Sequence, residues 1–261
     1  MKRSLFLSLC LAAITTPATF AATVTPANMS AVQVIEKNAA ARGGLQAWRA
    51  VNSITLSGEM GAGGKTEIKL PFTLSMKRPH SNRLEIRFQD QPAVQVYDGK
   101  QGWKQRPFLG RDDIEPFTKL ELKSAAAAAE LDGPLIDHAR KGTKVEMVGM
   151  EAVGGKNAYK LKLTPTNAPA MNVWIDAASF LEVKMDGEPR KLDGRMHKVA
   201  VYSRDYKAEG GLMIAHTLET VVEGVKQSHT MTIQSVKVKP ALDDSLFAKP
   251  QVTMAKAAAS Q

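Results

Sequence analysis

From Thr66 to Met76 the chain reads TEIKLPFTLSM, in which Ile68, Leu70, Phe72, Leu74 and Met76 alternate with Glu67, Lys69, Thr73 and Ser75 at a period of two. Side chains on an extended strand point alternately to opposite faces, so this pattern makes a strand with one apolar side and one wet side. The period returns in Leu84, Ile86 and Phe88, in Tyr159, Leu161 and Leu163, and in Met171, Val173 and Ile175. A chain that repeats an amphipathic strand this often is constrained to a large antiparallel sheet with one apolar face. That face must curl around something, either helices of the same chain or an apolar guest. The expected class is mainly β (α+β), with about eleven strands in a single sheet and two or more helices.

The helices announce themselves by their caps. Ser30 followed by Gln33 is a capping box, and Val32, Ile35 and Ala39 continue one face until Arg42-Gly43-Gly44, which predicts a helix over 31–42. A further turn or two over 45–51 carries Trp48 as a packing anchor. Thr118 with Glu121 is a second capping box, opening a helix that runs through Leu120, Leu122 and the alanines 125–129 until Asp132-Gly133-Pro134 stops it near Leu131. The alanine run has high helix propensity and little bulk, so this helix can lie close on the sheet as a plug or lid; an ordinary packed helix fits the same residues. Between these, Ile54, Leu56 and Met60 form a first strand that turns at Gly61-Ala62-Gly63-Gly64, and Asp98-Gly99 marks a hairpin. Pro71 cannot donate a ladder hydrogen bond, so its strand is bent, bulged or at an edge there. The charged, glycine-bearing stretch 109–115 reads as a loop.

Residues 1–21 read as a secretory signal: Lys2 and Arg3, an apolar run from Leu5 to Ile14, and the small-residue cleavage site Thr19-Phe20-Ala21. Cys10 lies inside the apolar run behind the bulky Leu9, which argues against a lipoprotein anchor. It is the only cysteine, so the 240 residues left after cleavage contain no disulfide and must hold together through an apolar core. No other apolar run is long enough to span a bilayer, and a periplasmic address is expected. Residues 22–250 show no linker and read as one domain, and the alanine-rich tail 251–261 is expected to fray. Without Lys2 and Arg3 there are 33 basic against 26 acidic residues, a formal charge of +7, scattered among acids. Such a surface is either a solvated outer face or one drawn to anionic head groups; no basic block interleaved with aromatics suggests nucleic acid.

Several stretches resemble a known family. The capped helix ending Ala41-Arg42-Gly43-Gly44, the strand from Pro71 to Pro79, and Tyr97-Asp98-Gly99-Lys100 with Gly102-Trp103 and Pro107-Phe108 are similar to periplasmic outer-membrane lipoprotein-sorting proteins, the LolA-like and LolB-like fold. Asp132-Gly133-Pro134-Leu135, Asp205-Tyr206 with Gly211-Leu212, and Asp243-Asp244-Ser245-Leu246-Phe247 extend the likeness over about residues 30 to 250, nearer to the broad uncharacterised branch than to the dedicated chaperone. The resemblance implies a strongly curved, unclosed half β-barrel whose concave apolar face is covered by helices that move to admit acyl chains. The ligand-binding residues then expected are Leu70, Phe72, Leu74, Met76, Leu84, Ile86, Phe88, Val96, Met147, Leu161, Val173 and Ile175, with core packing as the alternative for each. Methionines at 76, 147, 171, 185, 213 and 231 fall on expected strands, and their flexibility suits a pocket that takes variable chains.

Catalytic signatures are missing from the sequence. The histidines at 80, 138, 197, 216 and 229 are not spaced as HxH or HxxxH, and no GxSxG, HExxH or phosphate-binding glycine loop occurs. Asp112-Asp113 and Asp243-Asp244 read as turn or cap residues. The chain is therefore expected to be no enzyme, to use no cofactor or metal, and to act as a monomer. Its expected role is a periplasmic carrier for the acyl chains of a lipoprotein or lipid, making transient membrane contact. A lipid-responsive envelope sensor is the alternative, and a lipid hydrolase ranks last.

Overall fold

The computed structural model describes residues 29–61, 68–89, 91–107, 110–166 and 168–251. The leader expected over 1–21, residues 62–64 of the glycine turn, Phe108, and all but the first residue of the expected tail lie outside the described residues. Helices α1 (Ala31–Ala41) and α2 (Leu45–Arg49) come first, followed by β1 (Ser53–Gly61), β2 (Lys69–Lys77), β3 (Ser81–Phe88), β4 (Gln91–Tyr97), β5 (Gly102–Arg106) and β6 (Arg111–Pro116). Helix α3 (Lys119–Ala128) and a run of turns lead to β7 (Lys144–Val153), β8 (Lys156–Thr164), β9 (Met171–Asp176), β10 (Glu182–Leu192), β11 (Arg195–Glu209), β12 (Leu212–Val222) and β13 (His229–Val238). All thirteen strands form one unclosed antiparallel sheet in the order β6-β5-β4-β3-β2-β1-β13-β12-β11-β10-β9-β8-β7. Two meanders thus run from the outer edges inward and join where β1 pairs with β13.

Thirteen strands replace the eleven expected, and β6 is one source of the difference. Its sequence RDDIEP has no alternation, yet Trp103 pairs with Pro116 and Lys104 with Glu115. Glu115 also takes the charge of Arg106 at 3.2 Å, so cross-strand ion pairing supports an edge strand that the pattern does not reveal. At Pro71 the structure selects the edge reading, but only locally. The pairing of β2 with β3 stops at Phe72–Ile86, one residue short of the proline, while its pairing with β1 continues to Gly61–Lys69.

The sheet is rolled, and α3 reports how far. Lys104 of β5 pairs with Glu121 of α3, and Glu188 of β10 accepts from the Ser124 hydroxyl only three residues along the same helix. Those two strands stand eight places apart in the sheet, ~38 Å if it were flat. A helix of ten residues spans roughly 15 Å, so the two halves must curve towards each other until one short helix bridges them. On the outer face one row of paired residues follows the curve: Lys160, Trp174, Lys184, Tyr202 and Glu219, from β8 to β12. The ammonium groups of Lys160 and Lys184 lie 5.0 and 4.1 Å from the Trp174 ring, and Lys184 also reaches Tyr202.

Two clusters fill the concave side. Val34 and Ile35 of α1 pack with Leu135 onto Tyr159, Leu161, Leu163, Val173 and Ile175. Trp48 and Val51, with Leu131 and Ile136 from the turns after α3, pack onto Ile54, Met76 and Leu212. The plug on this side is therefore α1, α2 and the turn segment 130–142; α3 itself buries no residue, and its Leu120 is 67% exposed. Both capping boxes are formed as expected, Ser30 with Gln33 and Thr118 with Glu121. A third cluster, on the other face, joins Val94 and Val96 to Phe247 from the C-terminal segment.

A buried ionic group pins the plug. Asp132 is 2% exposed and takes Arg78 on one carboxylate oxygen at 2.7 Å and Lys141 on the other. Arg42, at the end of α1, donates to the Asp132 carbonyl at 2.9 Å and to Glu182 at 3.2 Å, and its guanidinium lies 4.4 Å from the centre of the Trp48 ring. Burial, with Glu182 beside it, pushes the Tyr206 phenol well above its ordinary range, so Tyr206 stays protonated and donates to the Glu182 carbonyl. Removing the Asp132 charge strands its cations: Asp132→Asn is expected to cost about 3 kcal/mol, read as a lower urea midpoint with an unchanged slope. Asp193→Asn in the exposed β10–β11 turn should stay within about 0.5 kcal/mol of the parent.

Helix α3 is tied differently. Burial alone would raise the Glu121 carboxyl, but hydrogen bonds from Lys104 and the Thr118 amide hold it below its ordinary value of 4.5. A carboxylate lowered in the folded state contributes its full stabilisation above that value and loses it as pH falls below. Hydrogen exchange should therefore show protection in residues 118–128 falling selectively below about pH 4.5, with the sheet unaffected. Glu121→Gln should produce the same selective loss at pH 7.

Candidate ligand-binding hollow

Where the plug ends, the concave face continues towards the rim where the β10–β11 and β12–β13 turns lie. Met60 of β1 stands opposite Leu70 of β2 on one side and Met231 of β13 on the other, and Met231 stands opposite Leu218 of β12. One rung nearer the rim, Val201 of β11 faces Thr220, which faces His229. These two rows bound a hollow of about 290 Å³ lined by Met60, Val201, Leu218, Met231, Thr220, Thr230, His229 and Arg190. Its floor is apolar and half-buried, and its ionisable groups come from β10 and β13 at the rim. Helix α3 crosses the same concave side, held at β5 by Lys104 and at β10 by Ser124 and Glu188.

The twelve residues expected to bind ligand fall into four groups. Leu161, Val173 and Ile175 are fully buried under α1, with Met147 at their margin. Met147, Leu161 and Val173 share a row with the hollow, since they, Met185 and Val201 stand opposite one another in turn, whereas Ile175 stands opposite Tyr159. Met76 and Leu74 pack under Trp48 in the second cluster. Leu70, Phe72, Leu84, Ile86 and Phe88 lie on β2 and β3 beside the hollow, Leu70 adjoining it through Met60 and Phe72 pairing with Ile86. Val96 does not share this face. It stands opposite Arg83 and Trp103, whereas Leu84 stands opposite Gln95, and Phe247 covers it from the other side. Strand β4 is apolar on both faces, with Ala93, Val94, Val96 and Tyr97 all buried, so alternation alone could not give its sense.

The lining residues that the sequence reading did not select, Met60, Val201, Leu218, Thr220 and Arg190, come from strands whose neighbours are distant in sequence. Met231 carried a signal, as a methionine on an expected strand. The others become visible only once β13 is known to pair with β1.

No group of three or more histidine, cysteine, aspartate or glutamate side chains is placed to hold a metal among the described residues. No helix among them is long and apolar enough to cross a membrane.

Comparison with known proteins gives the fold a context. A family model described only as an uncharacterized protein matches residues 136–253, the stretch that contains β7 to β13. No curated protein matches the sequence. Among solved structures, a LolA superfamily protein from Nitrosomonas europaea is similar at 14% identity and a TM-score of 0.54, covering 85% of this chain and 98% of that one. A putative outer membrane lipoprotein-sorting protein domain from Vibrio parahaemolyticus is similar at 14% identity and a TM-score of 0.57, covering 84% and 96%. A DUF1329 family protein from Desulfovibrio piger gives 13% identity and a TM-score of 0.55, covering 83% and 96%. The rolled, unclosed sheet with helices on its concave side is thus the fold of the LolA-superfamily and outer-membrane lipoprotein-sorting structures.

Proposed function

We propose that this chain is an exported periplasmic carrier that shields acyl chains of a lipoprotein or lipid in the rim hollow during transfer towards the outer membrane. The observation that carries this reading is the division of the concave face. Its inner part is closed by α1, α2 and the turn segment, whereas the rows through Met60, Leu218 and Met231 end in a hollow that no helix among the described residues lines. An apolar trough left open by its own chain favours an apolar guest, whose burial contributes ~25 cal/mol per Å² before ordering costs are subtracted. Three methionines, Met60, Met231 and the nearby Met185, suit chains of varied shape. Leu70, Phe72, Leu84, Ile86 and Phe88 would extend the trough along β2 and β3 for a longer chain. Helix α3 would be the moving cover, since side-chain polar bonds at Glu121 and Ser124, rather than buried apolar contacts, tie it to β5 and β10.

The reading fits the outer-membrane lipoprotein-sorting name of the similar Vibrio structure. It is tested by native mass spectrometry of the protein purified without detergent, followed by extraction of any adduct. A bound species of acyl-chain mass supports a carrier; an empty protein that also takes up no added lipid or lipopeptide overturns it. Leu218→Glu and Met231→Glu place a carboxylate on the apolar floor and should each weaken acyl-probe binding by roughly tenfold or more, with circular dichroism unchanged. Retained binding in both folded variants would put the site elsewhere.

A further inference from the structure

The hollow is not uniformly apolar, and its one arginine belongs to the minority of the chain's arginines that have no carboxylate partner among the described residues. Arg42, Arg78, Arg106 and Arg204 each face a carboxylate within 3.2 Å. Arg190 lines the hollow and is exposed at its mouth, and it has no acid partner among the described residues. The acids nearest in the sheet are otherwise engaged. Glu188, two residues back on β10, holds the Ser124 hydroxyl, and Glu223 at the end of β12 lies against the Lys198 amide. Strand β10 slips its register between Gly187 and Arg190, so Arg190 pairs with His197 beyond the last rung that reaches the apolar floor. A guanidinium without an acid partner thereby lines the same hollow as Val201 and Leu218, together with Thr220 and His229.

An apolar floor with an unpaired guanidinium at its entrance matches one class of ligand. The planar fork of arginine pairs two N–H groups with two oxygens of a carboxylate or phosphate. A neutral head group gives it nothing that water does not already supply. We infer that the hollow takes an amphiphile with a negatively charged head, carboxylate or phosphate, and that Arg190 binds that head while the chain lies on Met60, Leu218 and Met231. This rests on the acyl-chain reading above and narrows it from any acylated molecule to an anionic one. Arg190 is then the residue that determines head-group specificity.

The test uses the full chain at pH 8 and a neutral naphthylamine dye displaced by three ligands with the same fourteen-carbon tail: the alcohol, the carboxylic acid and the monophosphate. The acid, the phosphate or both should displace the dye at roughly tenfold lower concentration than the alcohol, and which of them does so identifies the head. Arg190→Gln should bring the charged ligands to the level of the alcohol and leave the alcohol unchanged. Arg195→Gln, which removes the same charge at the tip of the hairpin, should keep the preference. Equal displacement by all three ligands, a preference that survives Arg190→Gln, or an equal loss in Arg195→Gln would each overturn the assignment while the chain-binding reading stands. If neither the dye nor the alcohol binds, the chain-binding reading itself falls, and the head-group assignment with it.

Discussion

Asp132 carries a charge at 2% exposure, and a buried charge is tolerated only where opposite charges and donors stand against it. Its partners come from three separate parts of the chain: Arg78 at the β2–β3 turn, Lys141 from the turns before β7, and Arg42 from the end of α1 on the Asp132 carbonyl. Each of these segments is short and would otherwise be free to choose its place on the sheet. The charge leaves them one arrangement, with Trp48 sealed between Arg42 and the apolar residues of β1 and β2. The inner end of the trough is therefore closed by a polar lock over an apolar core, and among the described residues the outer end has no comparable fastening. That difference gives the concave face a covered floor at one end and a hollow at the other.

Much of this architecture is written locally. The two capping boxes depend on side chains three residues apart, and the strand faces depend on neighbours two apart, so both were legible before any fold was known. The inward sense of a strand is not local. Leu161, Val173 and Ile175 alternate as cleanly as Leu70 and Phe72, yet α1 seals the former, while of the latter Phe72 is buried and Leu70 stays half-buried beside Met60 of the hollow. Val96 shows the same limit from the other side, because the residue that covers it, Phe247, lies about 150 positions along the chain. Strand β6 was hidden by its charged sequence, in which Glu115 pairs across the ladder with Arg106. Arg190 gave no signal at all, since nothing in its own neighbourhood shows that it overlooks Leu218.

Helix α3 makes sense of a thin, alanine-rich sequence that has no apolar stripe to bury. It lies on the connection that takes the chain from the β6 edge to the β7 edge, and so it must cross the concave side. A bulky helix there would fill the trough permanently. One with small side chains can rest over it on two polar ties and still leave space below.

The second meander has an uneven seam of its own, between β12 and β13. Strands β12 and β13 pair only from Thr217–Thr232 to Thr220–His229, close to the rim, and further in the link passes to His216, whose Nδ1 lies 2.9 Å from the Ile233 carbonyl. On one side of that seam, the Lys160 to Glu219 row braces β8 to β12 along the outside. The hollow straddles the seam, with Leu218 and Thr220 on one leaf and Met60 and Met231 on the other. A molecule lodged there touches both leaves, so by linkage its binding energy also resists their parting. An acyl chain bound there as proposed would lie over the rungs Leu218–Met231 and Thr220–His229, clamping the one stretch where the two strands are already laced and leaving the inner part of the seam to His216.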